Sequence, residues 1–278
     1  MAPTVPWSES DAVVQLHSRK RIRIHTHQVP GAARPIILLH GLLSSGRQWR
    51  GTLERLAGGG DLLLAPDLPG FGFSGLVRMP QRLEDYADAL EAWAVSLGLP
   101  PAVLVGHSFG GMVATDWAAR YPQRAAALGL LAPAIVPHGF GVPRPFGHPT
   151  LGRALLGLVS LPPVGRRFFR FVVDDVNSIS REDAASWTWS VRRCRALLGL
   201  RDFYTLGDLG AVLGELRCPV RMGWGMRDQV LPVADADVIH AALPRMELVR
   251  WPCGHSVMAE RPADSDRFIR EVADLAWP

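Results

Sequence analysis

The pentapeptide Gly106-His107-Ser108-Phe109-Gly110 constrains this chain more than any other stretch. An apolar run, Ala102-Val103-Leu104-Val105, leads into it, and a helix-like run, Gly111 to Arg120, leaves it. A serine flanked in this way between strand and helix reads as a nucleophile elbow. The turn is so tight that the serine adopts a strained backbone conformation. The residues two before and two after it must be small, because a Cβ there strikes the crossing strand and helix; Gly106 and Gly110 meet that need. The strain lifts the Ser108 hydroxyl above the sheet edge, beside the positive end of the following helix.

A serine nucleophile needs a base, an acid that orients the base, and donors for an oxyanion. The elbow predicts the chain order Ser, Asp, His. Asp228, in Gly223-Trp224-Gly225-Met226-Arg227-Asp228, lies just beyond the end of a strand-like run, where α/β sheets build their sites. His255, in Trp251-Pro252-Cys253-Gly254-His255, follows the last strand-like run and precedes the last helix. The interval between them accommodates one helix and one strand, which returns the chain to the same sheet edge. The backbone N–H groups of Phe109 and Leu42 are the expected oxyanion donors, Leu42 lying after the His40-Gly41 turn. Among the other histidines, His107 is unable to serve as base for its neighbour and His40 has a structural hydrogen-bonding role. His138 and His148 are expected to be exposed. Glu260 serves the start of the last helix or a structural ion pair.

Strand-like runs occupy 13–16, 21–25, 36–39, 62–65, 102–105, 127–131, 220–224 and 246–249. The second alternates polar and apolar residues, as a half-buried antiparallel strand does. Most of the others are short and wholly apolar, the pattern of parallel strands covered on both faces. Helix-like segments at 82–97, 109–121, 233–242 and 263–276 alternate with them, which implies a parallel, doubly covered sheet. Residues 134–210 break this alternation. They begin with a Pro/Gly-rich loop, 137–149, and continue in aromatic-rich helical segments. We read them as a helical lid inserted in a core of residues 1–133 and 211–278.

The net charge is only +4, and 29 of the 30 basic residues are arginines, the mark of a GC-rich genome. No basic cluster is long enough for a nucleic-acid footprint. Arg192, Arg193 and Arg195 are read as solvated, with capture of a substrate carboxylate as the sharper alternative. Three widely spaced cysteines, Cys194, Cys218 and Cys253, fit neither a disulfide framework nor a cysteine zinc site. The start of the chain lacks the pattern of a secretory signal, and no apolar run reaches the ~18 residues of a membrane span. A cytoplasmic protein is expected.

Leu39-His40-Gly41, Pro66-Asp67-Leu68-Pro69-Gly70-Phe71-Gly72-Phe73-Ser74, Gly106 to Gly111, Gly225 to Asp228 and Gly254-His255 occur in this order and at these spacings. Together they resemble the α/β-hydrolase superfamily, in its lid-bearing branch of proline iminopeptidases, haloperoxidases and meta-cleavage-product hydrolases. The resemblance runs from about 13 to 276. It implies a mostly parallel eight-stranded sheet with helices on both faces and a lid between strands 6 and 7. Asp67 matches a structural loop of the family and is not catalytic. Serine at the nucleophile position sets the chain apart from the haloalkane dehalogenases and epoxide hydrolases, which use aspartate there. Many carbon–carbon hydrolases carry tryptophan directly after the catalytic histidine, where this chain has Ser256.

The expected activity is that of a carboxylesterase-like serine hydrolase acting on an ester, thioester or lactone of a moderately apolar small molecule. Ser108, Asp228 and His255 form its triad, and neither metal nor cofactor is required. Carbon–carbon bond hydrolysis, a lyase or cyclase reaction on the same triad, and non-catalytic ligand binding are the alternatives. The lid aromatics Phe140, Phe146, Phe168, Phe169, Phe171, Trp187, Trp189, Phe203 and Tyr204 either pack the lid onto the core or line the pocket.

Overall fold

The computed structural model describes residues 7–16, 18–79, 81–138, 144–199 and 204–277. Eight strands form one sheet: β1 (Ser8–Gln15), β2 (Arg21–Val29), β3 (Pro35–Leu39), β4 (Leu62–Pro66), β5 (Ala102–His107), β6 (Ala125–Leu131), β7 (Val220–Gly225) and β8 (Glu247–Trp251). Their spatial order is β1-β2-β4-β3-β5-β6-β7-β8. β1 pairs antiparallel with β2, and β2 antiparallel with β4. From β4 to β8 every pairing is parallel.

The apolar runs of β3 and β5 are buried along their whole length. Successive side chains serve opposite faces. Ile36, Leu38, Val103 and Val105 join one apolar cluster, and Ile37, Leu39 and Leu104 join the other. The first cluster is closed by α1 (Arg50–Leu56) and, at the C-terminus, α10 (Pro262–Ala276), through Leu53, Phe268 and Val272. The second is closed by α2 (Leu83–Ser96), α3 (Phe109–Arg120) and α8 (Ala234–Ala242), through Tyr86, Trp93, Trp117 and Ile239.

Between β6 and β7 the chain builds α4 (Pro149–Val159), α5 (Pro162–Val172), α6 (Arg181–Arg193) and α7 (Leu209–Gly214), with no strand among the described residues. Prolines at the first turns of α4 and α5 cost no hydrogen bond there and preset the helical φ. A one-turn helix, α9 (Val257–Glu260), follows β8. No helix among the described residues is long and apolar enough to cross a membrane. The three cysteines are buried and unpaired.

Two elements differ from the sequence reading. β1 begins at Ser8 rather than near Val13, because backbone pairing with β2 carries its polar first half. α1 and the 3₁₀ turn before it (Gly46–Trp49) form in a stretch to which the sequence reading assigned no element. Trp49, Leu53 and Leu56, spaced at i, i+4 and i+7, are the helical signal that reading passed over.

Candidate active site

The elbow is held by backbone packed on backbone. Ser108 has φ +54° and ψ −117°, a region that side chains other than glycine rarely occupy. A Cβ on Gly106 would lie 2.3 Å from the Gly110 carbonyl oxygen, and one on Gly110 would lie 2.3 Å from that of Leu39. The Ser108 N–H donates to the Leu131 carbonyl at 2.9 Å, tying the turn to the end of β6. Phe109 opens α3.

Asp228 and His255 leave the ends of β7 and β8 and meet. His255 Nδ1 donates to Asp228 Oδ2 at 2.6 Å. Asp228 Oδ1 accepts the N–H groups of Val230 (2.8 Å) and Leu231 (2.9 Å), so the carboxylate is fixed on both oxygens. Its side chain is 0% exposed and that of His255 4%, so the pair works out of water, where charge interactions are strong. With Nδ1 as donor, His255 Nε2 is left as the basic nitrogen. Ser108 and His255 line one cavity.

The Gly41–Leu42 loop, where an oxyanion donor is expected, is tied to both. A Cβ on Gly41 would meet His107 Nδ1 at 3.0 Å and Ser108 Cβ at 3.4 Å, so the loop runs in contact with the elbow. Leu42 follows, and Leu43 holds a positive φ of +58°. The Gly41 N–H donates to Gln48 Oε1 at 3.1 Å. Gln48 Nε2 donates to His107 Nδ1 at 3.1 Å, and His107 Nε2 donates to the His255 carbonyl at 3.1 Å. One hydrogen-bonded chain therefore links this loop, the elbow and the histidine loop. Burial and the neighbouring His255 ring push His107 well below the usual histidine range, which keeps it a neutral connector. Gln48 was missed in the sequence because it acts from the 3₁₀ turn, to which no element was assigned.

His40 has the structural role expected of it: Nδ1 donates to the Gly41 carbonyl and Nε2 accepts the Leu68 N–H, both at 2.9 Å. Asp67 likewise holds loops together, accepting the N–H groups of Gly46 (2.7 Å) and Phe73 (2.8 Å). Glu260 accepts from Gly254 and from Asp174 and Asp175, clamping the His255 loop to the insertion through backbone rather than through an ion pair.

The cavity above Ser108 has a volume of about 580 Å³. Leu42, Phe109, Phe168, Phe169, Trp187 and Met258 give it apolar walls. Trp187 packs against Phe168 and Phe169 at centroid distances of 5.1 and 4.8 Å. The lid aromatics thus divide. Phe168, Phe169 and Trp187 line the cavity, Phe146 and Tyr204 are buried in packing, and Phe171 is exposed. Trp189 meets Phe73 edge-on and lies under the guanidinium of Arg193. Phe140 and Phe203 lie outside the described residues.

One expectation is corrected and one alternative is set aside. His138 is half-buried and its Nε2 lies 2.5 Å from Asp235 Oδ2, because α8 presents that carboxylate to it. Arg192, Arg193 and Arg195 do not face Ser108; with Arg23 and Arg153 they surround a separate cavity of about 370 Å³. Arg195 is held there by the Ser74 carbonyl. The arginines that line the Ser108 cavity are Arg47 and Arg55, from the 3₁₀ turn and α1.

Comparison with known proteins gives the family and the fold. The family model described as "Alpha/beta hydrolase family" matches residues 36–265, and the chain belongs to that family. Similar curated proteins include the pimeloyl-[acyl-carrier protein] methyl ester esterase of Aromatoleum aromaticum, 29% identical over 85% of this chain and 97% of that protein. The 2-hydroxy-6-oxo-6-phenylhexa-2,4-dienoate hydrolase of Burkholderia cepacia is 27% identical over 91% of each chain. Among solved structures, a thermophilic esterase from Thermogutta terrifontis shares the fold with a TM-score of 0.75 at 21% identity, over 97% of this chain and 100% of that one. Hydrolases thus surround the chain in both sequence and fold.

Proposed function

We propose that the protein is a serine ester hydrolase acting on moderately apolar small molecules through an acyl-enzyme on Ser108. The observation that carries this reading is the 2.6 Å bond from His255 to a buried, doubly anchored Asp228, on the same cavity as a strained serine elbow. In this mechanism Ser108 Oγ attacks the substrate carbonyl carbon and His255 Nε2 takes the hydroxyl proton. Asp228 stabilises the imidazolium, and the backbone N–H groups of Leu42 and Phe109 hold the oxyanion. His255 returns its proton to the departing alkoxide as the ester C–O bond breaks. A water molecule, deprotonated by His255, then attacks the acyl-enzyme carbonyl, and Ser108 leaves with the proton back. The helical insertion acts as the lid, and Phe168, Phe169 and Trp187 receive the apolar part of the substrate.

The relative named as a methyl ester esterase supports an ester substrate. A second reading, hydrolysis of a carbon–carbon bond, is favoured by the likeness to the dienoate hydrolase along nine-tenths of both chains. A p-nitrophenyl ester series from acetate to octanoate, with wild type and Ser108→Ala, tests the proposal. Turnover that falls by about 10⁶-fold in the variant supports it. Equal rates in both proteins overturn it. Absence of ester turnover, with cleavage of a vinylogous 1,5-diketone acid, transfers the site to the second reading.

A further inference from the structure

A second cluster of titratable side chains lies on the β1–β2 pair and shares no residue with the Ser108 cavity. His25 and His27 are two residues apart on β2 and therefore face the same side. The antiparallel register sets Glu9 opposite His27 and Asp11 opposite His25. Glu9 Oε1 lies 3.4 Å from His27 Nδ1, and Glu9 Oε2 lies 3.7 Å from His25 Nε2. One donor atom from each of the three residues falls within 4.8 Å of the others.

The histidines are 6% and 1% exposed. His25 Nε2 and both ring nitrogens of His27 are buried without a hydrogen-bond partner. An ordinary core histidine finds partners for its nitrogens, because burying them unsatisfied is costly. Here two of these nitrogens, His25 Nε2 and His27 Nδ1, converge beside the Glu9 carboxylate, and the third, His27 Nε2, lies 3.9 Å from Asp67 Oδ1. His25 Nδ1 lies 2.8 Å from Asp11 Oδ1; donation to that oxygen fixes the tautomer and leaves Nε2 as a lone-pair donor. The rings have little room to turn away. A Cβ on Gly46 would lie 2.6 Å from the His27 ring, and Trp7 packs against it at 5.2 Å.

We propose that Glu9, His25 and His27 bind a divalent ion of the zinc class, with a water molecule completing a tetrahedral site. Bonds of about 2.0–2.1 Å set tetrahedral ligand atoms roughly 3.3 Å apart; Glu9 reaches the two rings at 3.4 and 3.7 Å, through one oxygen each. Two imidazoles and one carboxylate suit zinc. The Asp11–His25 bond is the outer-shell support that metal-bound histidines use. The ion clamps the first strand to the sheet. It also takes Glu9 from Arg47, its counter-ion at 3.6 Å, and Arg47 lines the Ser108 cavity. The cysteine spacing of the sequence carries no sign of this site, because its ligands come from two strands paired across a hairpin.

The test is calorimetric titration of chelator-stripped protein with zinc chloride, with cobalt(II) as a spectroscopic substitute. One equivalent of zinc, the visible absorption of tetrahedral cobalt, and a melting temperature raised by about 5 °C at zinc 100-fold above its dissociation constant are expected. Glu9→Gln, a change at a half-exposed side chain, weakens binding at least tenfold, as does His25→Asn; Asp11→Asn weakens it by about tenfold. Lack of saturable binding at millimolar zinc overturns the proposal. So does affinity unchanged in a Glu9→Gln/His25→Asn double variant, which would place the ion on other groups.

Discussion

The sheet edge that carries Ser108, Asp228 and His255 and the helical insertion above it are built by different means. At the edge, position is set by backbone. Gly106 and Gly110 let main chains approach to distances that exclude any Cβ, and Asp228 accepts three hydrogen bonds. The insertion is held by side-chain contacts, Ser45 to Ser190 and Tyr86 to Tyr204, with a few backbone straps: Arg195 and Ala196 to the Gly70 carbonyl, Ser256 to that of Val172, and the amides of Asp174 and Asp175 to Glu260. It also leaves Leu151, Leu158, Leu161 and Phe171 about half exposed. The contrast separates two tasks. Backbone contacts fix the reacting groups within the narrow tolerance that chemistry demands. Side-chain contacts shape a wall that can change without disturbing them.

This division makes unequal predictions for the two regions. The largest effect belongs to Asp228→Asn. An amide in place of the carboxylate turns an N–H toward His255 Nδ1 and favours the wrong tautomer. Ester kcat/KM should fall by about 10⁴-fold with the fold intact by circular dichroism. A loss smaller than about tenfold would show that the edge is not the reacting region.

A middle-sized effect concerns stability of the core in acid. Burial holds His40 down to about 4 and His27 down to about 3, and His107 lies well below its usual value. In the unfolded chain all three titrate near about 6.5. Below that pH the unfolded state binds protons that the folded state refuses, so the stability is full above about pH 6.5. It is lost as the pH falls toward the folded values, at about 1 kcal/mol per pH unit for each histidine. Burial raises Asp67 and Asp116, which oppose part of this loss. Urea midpoints of metal-free protein should therefore fall between about pH 7 and pH 5; a flat or rising profile contradicts the buried neutral state of the three rings.

The smallest effect is expected in the insertion. Trp187→Ala opens the cavity between Phe168 and Phe169. The preferred acyl chain should lengthen while kcat on p-nitrophenyl acetate stays within about threefold of wild type, since the reacting groups are untouched. An acetate rate that collapses as in Asp228→Asn would erase the distinction between wall and machinery.

The same contrast explains what was legible in the sequence. Ser108, Asp228 and His255 each stand next to a glycine-marked turn past the end of a strand. Local chemistry therefore announced the places where the structure now brings them to one sheet edge. The central strands of the parallel sheet, β3 and β5, were legible because both faces are covered and their runs are wholly apolar. Gln48 was not legible, because its role depends on Gly41 and His107 meeting it in space. Nor was the division of the lid aromatics. Trp187 and Trp189 are alike in local sequence, yet one lines the cavity and the other meets Phe73 edge-on under the Arg193 guanidinium. Nor does local sequence tell that Arg192, Arg193 and Arg195, read as solvated, surround a separate cavity.

The most direct test of the central claim is covalent labelling of the intact protein with a fluorophosphonate, followed by peptide mass mapping. The expected result is one adduct, on Ser108, whose formation slows at least a hundredfold in His255→Ala. An adduct on another residue, or none from folded protein, would contradict a nucleophilic serine at this elbow.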